Sequence, residues 1–267
     1  MSVLFLSGTP AKMKLAIIQP DIAWEKKTVN FRIIGNLISH LENDTDIIIL
    51  PETFNTGFSM NPEELSEPPR SATFDWMVHI SETRNCGICG SYITRVKNKF
   101  FNRWVFVTPE KKSWFYDKRH LFSPAGEDKV FVQGTKRMIF KFRGVRISPN
   151  VCYDLRFPVW SRNTGDYDLL INSADWPASR RNVWVTLLKA RAIENQCYVA
   201  GANRTGTDGN GVKHTGDSMI INPYGEIIAS ANKNTGCSVS AEISIPELKE
   251  FRNKFPVFKD ADKFIIT

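Results

Sequence analysis

The strongest constraint on the fold is a set of short apolar runs that stop abruptly at turn or polar residues. Residues 14–19 (KLAIIQ) and 46–50 (DIIIL) are of this kind, the second closed by Pro51, and residues 168–172 (DLLIN) form a third. Runs this short read as buried strands, because a helix needs about ten or more residues to bury a comparable surface. Helical periodicity lies between them. Phe31, Ile34, Leu37, Ile38 and Leu41 share one face, and so do Val183, Leu187, Ala190 and Ile193 in residues 182–196. Residues 74–85 form a further helical segment, and 87–93 a strand. Strand-like segments follow at 101–107, 113–117, 138–142, 145–151, 198–202, 217–222, 226–230 and 238–243. Strands outnumber helices, yet helices are interspersed, which suits a layered α/β sandwich of sheets covered by helices. The tail, residues 247–267, is charged and aromatic without a clear period.

Composition narrows the function classes. Of 267 residues, 42% are hydrophobic, enough for a substantial core, and no run of about 18 or more apolar residues is present to span a bilayer. Residues 1–13 read as an extension without an export signal, ahead of a single domain over 14–267. The five cysteines, Cys86, Cys89, Cys152, Cys197 and Cys237, are an odd number. With no export signal this argues against a disulfide framework and for a reducing cytoplasm. The net charge of +7 is spread out, with basic pairs such as Lys136-Arg137 and Arg180-Arg181 but no basic helix, so neither nucleic acid nor membrane is expected as a partner. The Cys86-Gly-Ile-Cys89 spacing lacks a second cysteine or histidine pair, so no zinc site is expected.

Several chemically capable residues directly follow strand-like runs. Cys152 ends residues 145–151, and Pro158 suits the first turn of a following helix. A cysteine at such an elbow is exposed, and helix-terminal N–H groups favour its thiolate and can hold an oxyanion. Glu52 follows the 46–50 strand, at the edge where α/β sheets place ligands; partial burial there would suit it to proton transfer. Lys118 follows Trp114-Phe115-Tyr116-Asp117, placed to stabilise developing negative charge, and Glu127 could orient it. Each alone also fits an ordinary structural or surface role, and His120 keeps a Cys–His dyad open.

Read together and in order, Leu50-Pro51-Glu52-Thr53, Tyr116-Asp117-Lys118-Arg119-His120, Ala125-Gly126-Glu127 and Val151-Cys152-Tyr153-Asp154-Leu155-Arg156-Phe157-Pro158 resemble the nitrilase superfamily of carbon–nitrogen hydrolases. The Asp175-Trp176-Pro177-Ala178, Glu194-Asn195-Gln196 and Gly201-Ala202-Asn203-Arg204 segments resemble its omega-amidase branch, whose members hydrolyse the terminal amide of 2-oxoglutaramate and similar ω-amides. The resemblance implies a four-layer αββα sandwich that pairs into a homodimer or higher homo-oligomer and needs no metal or cofactor. It implies that Cys152 is the nucleophile, Glu52 the proton carrier, Lys118 and the Tyr153 N–H the oxyanion donors, and that Glu127 positions the site. A carboxylate-bearing small amide substrate calls for a cationic anchor, for which Arg156, Arg180 and Arg204 are candidates, with Trp176 and Phe58 as pocket walls. A different amidase such as a carbamoylase, a nitrilase and a non-catalytic interaction protein are the alternatives.

Overall fold

The computed structural model describes residues 12–266. Residues 1–11, most of the expected extension, lie outside the described residues. The first strand, β1 (Lys12–Gln19), takes in Lys12 and Met13, which pair with Ser244 and Ile243, so these two belong to the sheet and not to the extension. The chain continues through α1 (Lys27–Ser39), β2 (Ile47–Ile49), α2 (Pro62–Leu65), α3 (Ala72–Arg84), β3 (Gly87–Val96), β4 (Lys99–Val107) and β5 (Ser113–Asp117). Then come α4 (Glu127–Val130), β6 (Phe140–Phe142), β7 (Val145–Val151), a 3-10 turn at Cys152–Arg156, α5 (Pro158–Ser161), β8 (Leu169–Ser173) and α6 (Arg181–Glu194). Strands β9 (Tyr198–Ala202), β10 (Thr205–Thr207), β11 (Lys213–Thr215), β12 (Met219–Ile221), β13 (Ile227–Ser230) and β14 (Cys237–Ser244) precede α7 (Ile245–Lys254).

Two six-stranded mixed sheets carry the architecture, ordered β14-β1-β2-β3-β4-β5 and β13-β12-β9-β8-β7-β6. The period-2 alternation of side chains sorts each strand between two layers. Leu15, Ile17, Ile47 and Ile49 of the first sheet meet Ile147, Leu169, Ile171 and Ala200 of the second in the central core. The opposite faces are covered by helices. Ala16, Ile18 and Ile48 pack with Ile34 and Ile38 of α1 and Phe74 and Met77 of α3. On the far side Leu170, Val199 and Met219 pack with Trp184 and Leu188 of α6. The molecule is therefore a four-layer αββα sandwich, and the short apolar runs are strands buried on both faces. Gly201 permits the close approach of α6 to β9, since a Cβ there would lie 2.5 Å from a Leu188 methyl.

Besides the short elements α2, α4, β10 and β11, which the sequence reading did not separate, α6 and the tail differ from it. In α6 the buried residues are Trp184, Leu188, Arg191 and Ala192, while Ile193 stays 55% exposed. The apolar set Val183–Leu187–Ala190–Ile193 points one step around the helix from the sheet, because the buried stripe also takes in a hydrogen-bonded arginine: Arg191 donates to the Leu155 carbonyl. The tail holds α7, which buries Ile245 and Leu248, begins with a Ser244 cap on the Glu247 N–H and carries Pro246 in its first turn. Two apolar anchors within ten residues are too few to give a visible period.

The two sheets are pinned to each other where β2 and β8 end. Ser173 Oγ donates to the Leu50 carbonyl at 2.7 Å, Trp104 Nε1 donates to Ser173 Oγ at 3.2 Å, and the Glu52 N–H donates to the Ala174 carbonyl at 3.3 Å. Strands β1, β2 and β3 run parallel, as do β7, β8 and β9, so their carboxyl ends open onto shared ground.

Candidate active site

The first polar residue after each of β2, β5, β7 and β8 lands in one place. Glu52 follows β2, and Thr53 behind it adopts φ +42°, a left-handed turn that diverts the chain from the sheet. Lys118 follows β5. Cys152 follows β7 and itself sits at φ +42°, an uncommon value for a residue with a Cβ. This sharp turn lifts the thiol off the strand and starts the 3-10 turn, leaving the early N–H groups, that of Tyr153 among them, outside the helical ladder.

Asp154 holds the elbow. Its Oδ2 accepts from the Val151 N–H at 3.0 Å and the Tyr116 hydroxyl at 2.8 Å, and its Oδ1 accepts from the His120 N–H at 2.9 Å and Nδ1 at 2.8 Å. The cysteine turn is thereby tied to β5 and to the segment bearing Lys118. His120 is committed to Asp154 and stacks on Phe157 with ring centroids 3.7 Å apart. It does not line the cavity beside the thiol, so the Cys–His alternative finds no support.

The charged centre is almost wholly buried. Glu52 and Glu127 are 0% exposed and Lys118 1%. The Lys118 ammonium donates to Glu52 Oε1 at 2.8 Å and to Glu127 Oε1 and Oε2 at 3.0 and 2.8 Å. Asn102, on β4, donates through Nδ2 to Glu52 Oε1 at 2.7 Å and Glu127 Oε1 at 3.1 Å. The Asp175 N–H donates to Glu52 Oε2 at 3.0 Å, and the Phe122 N–H donates to Glu127 Oε2. The Cys152 sulfur faces the Asp175 carbonyl at 3.9 Å.

These surroundings set the protonation states. Burial pushes the Glu52 carboxyl above its ordinary value, with Glu127 adding to the shift and Lys118 opposing it. Burial also pushes the Cys152 thiol well up, reinforced by the Glu52 charge and offset in part by Lys118. Burial would lower the Lys118 ammonium, but the two glutamates more than reverse that, so it stays charged. The arrangement is a resting thiol beside a carboxylate able to take its proton and a fixed cation able to meet negative charge.

A cavity of about 600 Å³ opens onto this centre. Glu52, Lys118, Cys152, Phe58, Tyr153, Arg156, Trp176 and Arg180 all line it. Phe58 covers the ammonium at 5.0 Å, Arg156 lies over Trp176 at 5.5 Å and Arg180 over Phe122 at 5.1 Å. Glu127 sits behind Lys118 rather than in the wall. Arg204 is a correction to the expected set of anchors. It is 0% exposed and does not line the cavity; its guanidinium donates to the carbonyls of Thr205 at 3.0 Å and Ile22 at 3.2 Å and to Asp21 at 3.3 Å. Fully buried behind the wall, the guanidinium is not presented to the cavity.

Sequence reasoning missed three site residues. Asn102 carried a signal, a polar residue interrupting the apolar strand Phe-Asn-Arg-Trp-Val-Phe-Val; Asp175 was read only as part of the Asp175-Trp176-Pro177-Ala178 segment, and His214 carried no signal. Replacing Asn102 with leucine removes the donor shared by two buried carboxylates. A hydrogen bond to a charged group contributes about 1.5–3 kcal/mol, so kcat/KM for amide hydrolysis is expected to fall about 10- to 100-fold. Glu52 should be harder to ionise, and the acid limb of the pH–rate profile should move to higher pH. A limb that moves down would contradict the geometry.

Comparison with known proteins agrees with this site. The family model described as carbon-nitrogen hydrolase matches residues 14–253. The chain is 44% identical over 254 residues to the omega-amidase YafV of Yersinia enterocolitica, covering 95% of this chain and 98% of that one. It is 32% identical to the 2-oxoglutaramate amidase of Bacillus subtilis strain 168, with coverage of 94% and 98%. Among solved structures it superposes on XC1258 of Xanthomonas campestris, a CN-hydrolase superfamily protein with an arsenic adduct in its active site. The TM-score is 0.92 and the identity 37%, with 96% of this chain and 99% of that chain covered. A buried carboxylate–ammonium centre opening on an elbow cysteine, built on a four-layer sandwich and matched over nearly its whole length, places this chain in the carbon–nitrogen hydrolase family.

Proposed function

We propose that this amidohydrolase removes ammonia from the terminal amide of a short dicarboxylic acid monoamide, with 2-oxoglutaramate as the type substrate. The observation that carries the reading is one cavity with the thiol, carboxylate and ammonium at its base and two arginines, Arg156 and Arg180, in its wall. A five-carbon monoamide presents an amide at one end and a carboxylate at the other, and guanidinium groups suit the latter.

In this reading Cys152 Sγ attacks the amide carbon while Glu52 takes the thiol proton. The oxyanion is met by the Lys118 ammonium and the Tyr153 N–H. Collapse breaks the C–N bond, and Glu52 delivers its proton to the departing nitrogen as ammonia. Water then attacks the thioester with Glu52 as base, the C–S bond breaks, and the thiol is restored. Glu127 and Asn102 keep Lys118 and Glu52 in place, and Phe58 and Trp176 wall the acyl chain. An amide is a poor electrophile with a poor leaving group, so one nucleophile, one proton carrier and one oxyanion partner are all required.

A homodimer in the cytoplasm fits this reading. Ile193, Tyr224 and Phe255 leave apolar surface exposed near the end of α6, and among the described residues no helix is long and apolar enough to cross a membrane. The test of the substrate is an ammonia-release assay with 2-oxoglutaramate, succinamate, an N-carbamoyl amino acid and a simple nitrile. The two ω-amides should turn over with kcat/KM at least about 100-fold above the others. Preference for the carbamoyl compound or the nitrile would displace the proposal.

A further inference from the structure

His214, on β11, lies in the wall of the same cavity yet plays no part in the chemistry described so far. It is 3% exposed, and its Nε2 stands 2.6 Å from Asp175 Oδ1. Asp175 is the residue whose N–H binds Glu52 and whose carbonyl faces the Cys152 sulfur, so its side chain and its backbone serve different partners. Burial alone would raise the Asp175 carboxyl, but the His214 imidazole, with Arg204 behind it, holds it below its ordinary range. Asp175 is thus an acceptor, and the proton between the two residues sits on His214 Nε2. The other ring nitrogen, Nδ1, is buried and has no hydrogen-bond partner among the described residues. A buried polar atom without a partner is uncommon, and in the wall of a cavity it points to a ligand. With both ring nitrogens protonated, Nδ1 is a donor.

We propose that His214, oriented by Asp175, is a specificity-determining residue whose Nδ1–H binds an oxygen of the substrate's acyl chain beyond the scissile amide. The inference rests on the ω-amide reading, since such substrates carry a 2-oxo group, a distal carboxylate or both. It also gives Arg204 its role: enclosed by carbonyls, it helps keep Asp175 ionised and so keeps His214 oriented. One turn, residues 174–176, then joins recognition of the acyl chain to the placement of nucleophile and base.

The test compares the full-length protein with its His214→Gln variant. Glutamine Nε2 can still donate to Asp175, but nothing replaces Nδ1. The substrates are three five-carbon amides: 2-oxoglutaramate, glutaramate without the oxo group, and pentanamide without either oxygen function. The ratio of kcat/KM for 2-oxoglutaramate to that for pentanamide is expected to fall about tenfold or more in the variant. A step between 2-oxoglutaramate and glutaramate assigns the contact to the oxo oxygen, and one between glutaramate and pentanamide assigns it to the carboxylate. An equal loss on all three substrates means a purely structural pair and overturns the proposal. A second measurement needs neither turnover nor the variant at 214. In Cys152→Ala protein with ¹⁵N-labelled histidine, four imidazoles are present, and only that of His214 should shift at Nδ1 on binding 2-oxoglutarate and not pentanoate. Binding of 2-oxoglutarate that leaves His214 Nδ1 unmoved would refute the contact even if the favoured amide substrate proved to be a different one. Failure of the ω-amide reading would show separately, as absence of ammonia release by the unaltered enzyme.

Discussion

Cys152→Ala is expected to lower ammonia release from the favoured amide at least about 10⁴-fold while leaving the fold intact. The side chain is half-buried at an elbow fixed from outside by Asp154, so removing the sulfur disturbs no hydrogen bond of that anchor. What disappears is the nucleophile. The remaining Glu52, Lys118 and Tyr153 N–H could only assist water, and loss of a covalent nucleophile commonly costs about 10⁴–10⁶ in rate. Single-turnover assays with circular dichroism as a control for folding check this; an unchanged rate would remove the thioester route. The pH profile of the unaltered enzyme follows from the same centre. Glu52 must be ionised to take the thiol proton, and burial raises its carboxyl above the ordinary glutamate value of 4.5. Activity should therefore fall on acidification with a midpoint above 4.5. A midpoint at or below that value would mean that another group is the base.

Lys118→Met should be the most damaging single change to stability. Lys118 is the one cation that contacts both Glu52 and Glu127 among the described ion pairs, and all three are at most 1% exposed. Taking the cation away leaves two carboxyls in apolar surroundings, and breaking a buried pair from one side costs about 3–5 kcal/mol. The sign of the pH dependence follows. Without Lys118 the Glu52 carboxyl, already raised by burial, rises further above its unfolded value, so over that window the folded protein binds more protons than the unfolded chain. Stability then falls as pH rises through the window. The deficit relative to the unaltered protein should be largest near neutrality and shrink toward the ordinary glutamate value of 4.5. Urea unfolding at a series of pH values reads this directly, and a deficit that grew on acidification would contradict the assignment. Activity should fall at least about 10²–10³-fold with the oxyanion donor gone.

Much of this was legible from the chain alone. Short apolar runs such as residues 46–50 can only be strands buried on both faces, and the polar residues that follow them must emerge at strand ends. That placement made Glu52, Lys118 and Cys152 candidates, and the resemblance of their ordered segments to one family gave them roles. Where the reading failed, the cause was partnership. Arg204 looks like any cation available to an anionic substrate until the carbonyls of Ile22 and Thr205 are seen to enclose it. Ile193 looks like a core residue until Arg191, hydrogen-bonded to the Leu155 carbonyl, takes the inward position.

The sequence by itself determined the layers, because burial period is a local property, and the resemblance of its ordered segments to one family supplied the candidate reacting groups. Only the tertiary structure decided how those groups are paired. Asn102 beneath two carboxylates, and His214 against Asp175, join residues dozens of positions apart through contacts of 2.6–3.1 Å. Such contacts depend on strand register and on the pinning of one sheet to the other, and neither leaves a trace in the order of residues along the chain.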